Sequence, residues 1–160
     1  FELVGAMKAG RVDAAWIWGE GVQTMNADSK WKFVADDGIV NQSTSALLVT
    51  TKEYYAANKD KVVRSLKAFQ KASEYLHANL DDATAQIAQS VGGDAAQIKN
   101  TVSQQRYGLT FGQSAVGSLK RKYDFLVAAK KIEPYDFKAQ FDTSALREAV
   151  PTAEIDPMLE

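Results

Sequence analysis

A chain of 160 residues with 46% apolar content is sized for one ordinary globular domain, and no apolar run approaches the ~20 residues of a membrane-crossing helix. Lys and Arg number 19 against 20 Asp and Glu, so a net charge of -1 gives no electrostatic reason to expect nucleic acid or an acidic membrane surface as partner. With no cysteine and a single histidine, the sequence carries no disulfide framework and no thiolate metal site, and neither a metal nor a cofactor is expected.

The opening stretch is the most specific. Leu3, Ala6 and Met7 sit at helical spacing, and Gly10 falls where a helix passes into a left-handed residue. From Val12 to Trp18 the chain turns apolar, with β-branched and aromatic residues and no polar alternation after Asp13. That pattern predicts a strand covered on both faces. Gly19, Glu20 and Gly21 then break it at its carboxyl end, where open α/β sheets bind ligands. A short helix follows around Val22 and Met25, and Trp31 to Ala35 reads as a second strand ended by Asp36, Asp37 and Gly38. Polar residues Asn41 to Thr44 lead to a third strand at Ala46 to Val49.

The remainder reads as helix. Thr50 with Glu53 fits a capping box, and Val62, Leu66, Phe69, Ala72 or Ser73, and Leu76 form the apolar stripe of a long helix over Lys59 to Ala78. Its other face carries Lys61, Arg64, Lys67, Lys71 and Glu74, the composition of a solvated surface. Asp81 and Asp82 open a second helix, buried through Ala83, Ile87, Ala88 and Val91 and ended by Gly92 and Gly93. Asp94 with Gln97 opens a third, over Ile98 and Val102. After a loop from Tyr107 to Gly112, Ser114 caps a fourth, with Val116, Leu119, Tyr123, Leu126 and Val127 inward. Asp142 caps a short last helix over Leu146, and Pro151 and Pro157 mark a tail expected to fray.

Catalytic constellations are scarce. His77, near the end of a long helix, reads as structural or exposed. Asp36 with Asp37 and Asp81 with Asp82 are sequence neighbours at element ends, the positions of turn and capping carboxylates, not of an acid and base facing one bond. GQSAVG lacks the strand that a nucleophile elbow requires, and no glycine-rich phosphate loop occurs. Trp16 reads as core. Trp18, at the strand end beside a glycine loop, reads equally as core or as an aromatic wall for a small ligand. Asp13 fits a local backbone contact, while Ser43 and Thr44 either line a cleft or punctuate the crossing.

Gly10, Val12, Asp13, Ala14 and Trp18 together resemble the "GxVDA...W" segment of substrate-binding proteins of ABC importers in the taurine, alkanesulfonate and nitrate group. The resemblance continues through SALLVTTKEYYAANKDKVVRSLKAFQKASEYLHANLDDA and YDFLVAAKKI; Gly19 and Glu20 stand where such proteins often have proline. It implies an α/β chain, helix-rich with about three strands, forming part of a two-lobed type 2 periplasmic-binding-protein fold. Residues 1–44 would be the end of the second lobe with the hinge, and residues 45–160 the return strand and carboxyl-terminal helices of the first lobe. It places Phe1 more than halfway along such a protein, so the amino-terminal half is an expected partner. It further implies no catalysis, a small ligand such as a sulfonate or taurine-like molecule, a membrane ABC permease as partner, and a periplasmic or other extracytoplasmic location. The residues expected to bind such a ligand, from their places at the strand end and the crossing, are Trp18, Glu20, Ser43 and Thr44. Thiamine-pyrimidine synthases on the same fold, or a ligand-sensing domain, are the alternatives. Because a carboxylate beside a tryptophan face favours ammonium groups, Glu20 with Trp18 points to an amine-bearing ligand, unless Glu20 only complements the dipole of the next helix.

Overall fold

The computed structural model describes residues 2–40 and 44–160, with the side chains of Glu20 and Val40 outside that description. The chain divides into two compact units, Phe1–Ile39 and Val40–Glu160.

In the first unit, α1 (Glu2–Lys8) ends as its glycine requires. Gly10 adopts φ 66°, its N–H donates to the Met7 carbonyl at 2.9 Å, and the Arg11 N–H reaches back to Ala6 at 2.9 Å. These two bonds satisfy carbonyls that the helix end would otherwise leave open. An extended segment follows and leads into α2 (Glu20–Asn26), entered through Gly19 at φ 58°. Gly21 is needed for packing: a Cβ there would meet Val4 Cγ2 at 3.3 Å and Ile17 Cβ at 3.7 Å. Met7 and Met25 are the buried apolar side chains of this unit.

The expected α/β architecture is not what forms: the described residues contain helices and no strand. Val12–Trp18, Trp31–Ala35 and Ala46–Val49 have non-helical backbone but no ladder partner. A strand exists only through its neighbour's hydrogen bonds, and an apolar run specifies burial without supplying the second strand. Among the described residues, the pairing observed outside named elements is one parallel bridge, Phe111 to Ile155.

The second unit is built on α3 (Lys52–Ala78), whose cap is Thr51, not Thr50: its Oγ1 accepts from the Tyr54 N–H at 3.1 Å. The helix bends at Asn58, where φ -139° and ψ 30° leave the helical region. Val63 and Leu66 form a core with Ala145 of α7 (Ser144–Ala149), flanked by Tyr55, Val62, Leu109 and Ala149. Phe69, expected on the buried stripe, is 55% exposed.

Polar contacts fix α7 to α3. The Tyr55 hydroxyl lies 3.2 Å from Asp142 Oδ1 and 2.9 Å from Ser144 Oγ, and the Ser144 N–H donates to Asp142 Oδ1 at 2.8 Å. Burial alone would raise the Asp142 pKa, but the Ser144 side chain and N–H, the Tyr55 hydroxyl and the Lys59 charge outweigh it and hold the carboxyl below its ordinary range. A folded-state value below the unfolded one stabilises at pH above about 4 and is lost as pH falls through the lowered value. Acid titration of Asp142→Asn should therefore show a shallower loss of stability below about pH 4 than the parent, read by circular dichroism.

α4 (Leu80–Val91) and α5 (Ala95–Ser103) form a pair packed at the end of α3. Asp81 and Asp82 occupy the first turn of α4, and Gly92, at φ 73°, ends it. The Tyr75 hydroxyl donates to the Asp82 carboxylate, which raises the tyrosine pKa, while Lys99 pairs with Asp81. Asp94 caps α5 through the Gln97 N–H at 2.9 Å, as its spacing predicts.

α6 (Gln113–Ala128) starts after Gly112, two residues earlier than the Ser114 cap implied. An aromatic chain runs from it: Tyr123 to Phe137 (5.4 Å between centroids), Phe137 to Phe141 (5.1 Å) and Phe141 to Phe111 (5.5 Å). The Tyr123 hydroxyl donates to the Tyr135 carbonyl at 2.7 Å and accepts from the Tyr135 N–H at 3.0 Å. Tyr123→Phe should lower the unfolding free energy by about 1–2 kcal/mol, because it keeps the ring and removes both bonds; denaturant melts of the two proteins provide the comparison.

The tail does not fray. The Phe111 N–H donates to the Glu154 carbonyl at 2.9 Å, the Asp156 N–H to the Phe111 carbonyl at 2.8 Å, and Asp156 is buried with its Oδ1 accepting from the Met158 N–H. These bonds give the backbone around the two prolines the partners that a free tail lacks.

Candidate functional site

The four residues expected to bind ligand are distributed over both units. In the first, Val12, Ala15 and Ile17 are half-buried, whereas Trp16 and Trp18 are 62% and 78% exposed. The two indoles thus share an outward side of the extended segment, and Trp16 is not the core residue the sequence suggested. Gly19 follows with φ 58° and ψ -134°, a conformation suited to glycine, so the chain turns abruptly behind Trp18 and presents its ring at the bend. Glu20 is the first residue of α2, two positions after Trp18 in sequence. Thr44 belongs to the second unit, where it is exposed and non-helical, and Ser43 lies outside the described residues.

The third tryptophan behaves differently. Trp31 holds its indole N–H buried without a hydrogen-bond partner among the described residues, and Lys30 Nζ sits 5.0 Å from its ring centroid. The ring therefore carries a cation-π contact with the neighbouring lysine.

In the second unit, Leu76, His77, Leu80, Val102, Ser103, Gln105 and Tyr107 line a cavity of about 240 Å³. His77 Nε2 lies 2.7 Å from the Tyr107 carbonyl oxygen. His77 is exposed, as its place near the end of a long helix suggested, but nothing in the chain's spacing shows that a loop 30 residues onward returns to it. No cluster of three or more metal-ligating side chains occurs among the described residues.

The described residues thus place exposed aromatic rings beside a glycine bend in one unit, and a small polar-rimmed cavity in the other. The profile of the family described as NMT1/THI5 like matches residues 1–83, just over half of the chain, so the protein belongs to that family. The family covers ABC substrate-binding proteins and thiamine synthase. No curated protein and no solved structure matches the chain significantly.

Proposed function

We propose that the protein is a solute-binding component that captures a small polar organic molecule outside the cytoplasmic membrane and delivers it to an ABC permease, without covalent chemistry. The observation that carries this reading is Trp18, inside the family match and exposed at the Gly19 bend. A rigid aromatic face of this kind buries a small ligand at low entropic cost. The proposed ligand is a sulfonate or taurine-like molecule bearing an amine, with Glu20 as the anionic partner and Trp18 as the π face for the cation.

Calorimetry on the full-length protein tests this, comparing taurine-like zwitterions with alkyl sulfonates of equal length. The zwitterion should bind more tightly, Glu20→Gln should erase the difference, and Trp18→Ala should weaken both by about 10-fold or more. Equal affinity for both classes, unaltered by Glu20→Gln, removes the amine from the proposal. Because the family also covers thiamine synthase, the rival reading is turnover. Mass spectrometry of the ligand after prolonged incubation distinguishes the two: recovery of unchanged ligand supports binding, and conversion overturns it.

A further inference from the structure

The cavity beside His77 is built around one residue, Tyr107, which orients two polar groups at once. Its carbonyl oxygen can only accept, so His77 Nε2, at 2.7 Å, carries the hydrogen of that bond. When the ring is neutral, Nδ1 is then a lone-pair acceptor. The Tyr107 hydroxyl donates to Gln105 Oε1 at 2.8 Å, which fixes the amide and leaves its NH2 group as a donor with no protein partner among the described residues. Ser103 Oγ spends its hydrogen on the Lys99 carbonyl at 2.7 Å and keeps acceptor capacity. Leu76, Leu80 and Val102 supply apolar walls, Leu76 being buried and the other two half-buried. Among the described residues, no carboxylate, lysine or arginine lines the cavity.

We propose that this cavity binds a small neutral ring compound carrying a hydroxyl group. Such a molecule places its ring against the leucines and valine, donates its hydroxyl hydrogen to an imidazole or serine acceptor, and accepts from the Gln105 amide. With the His77 ring neutral, an ionic ligand finds no opposite charge among these lining residues, so selection runs against ions. The two polar groups are pre-oriented through Tyr107, which lowers the entropic cost of capturing a ligand in one pose. This site lies wholly in the second unit, so its fate is independent of the Trp18 reading.

The test uses phenol as probe and benzoate as charged control, titrated into the isotope-labelled protein while magnetic resonance follows the His77 ring nitrogens and the Ser103 and Gln105 amides. Phenol should shift these signals saturably, and benzoate should not. Val102→Trp, which fills the cavity, should abolish the response. Gln105→Leu, at an exposed side chain, should leave the fold intact and weaken phenol by about 3- to 10-fold, the worth of one hydrogen bond. Non-saturable shifts, equal binding of benzoate, or phenol affinity unchanged in Gln105→Leu overturns the proposal, and the last comparison stands even where Val102→Trp disturbs folding.

Discussion

Leu66→Ala is expected to lower the unfolding free energy by about 2–5 kcal/mol, while Phe69→Ala, three residues along the same helix, should change it by no more than about 1 kcal/mol. Leu66 is 8% exposed and packs with Val63 and Ala145, so truncation leaves a cavity between α3 and α7. Phe69 is 55% exposed, so its ring already meets water in the folded state and little transfer free energy is lost with it. Urea melts of both variants make the comparison; equal losses would place Phe69 in a packed interface and require a different rotation of the helix. The contrast also separates size from burial, because the larger side chain is the dispensable one.

The helix boundaries were largely legible because they are set locally. Gly10 and Gly92 stop helices by adopting positive φ, Asp94 caps through its own side chain, and the expected start at Lys59 coincides with the bend at Asn58 within a longer helix. How far a stripe is covered was not legible. Periodicity points Phe69 toward the same side as Leu66, but α7 has only six residues and the core it makes with α3 gathers around Val63 and Leu66. The three strand assignments failed for the same reason in stronger form. Val12–Trp18 and Ala46–Val49 have strand composition, yet pairing is a long-range property that composition does not provide. At the candidate site, sequence position located Trp18 at a turn, and the structure agrees that Gly19 bends the chain there. The Trp16 orientation and the Tyr107 return to His77 depend on tertiary placement, and no spacing rule reaches them.

At rising concentration, the 160-residue chain is expected to self-associate and to bind hydrophobic dyes, with a broad unfolding transition. Its accessible surface is 11777 Å². Two compact globules matching the units in length would expose only about 9,200 Å² in total even without touching, so roughly 2,500 Å² of surface is in excess however the units are placed. Interfaces of stable complexes bury amounts of this order. The exposed area includes Phe33 (58%), Val34 (86%), Leu47 (48%), Leu48 (60%) and Val49 (80%), in consecutive apolar runs. Such runs expose backbone donors and acceptors together with apolar side chains, the combination that recruits another strand. Val49→Lys should therefore weaken association by about 10- to 100-fold, the equivalent of losing ~1.5–3 kcal/mol of apolar burial and adding a charge to an exposed run. Sedimentation velocity across a concentration series, with parent and variant side by side, measures the shift. A parent that remains monomeric at every concentration, with a sharp cooperative melt, would show that the second unit's core around Leu66 is sufficient and that the exposed runs need no cover.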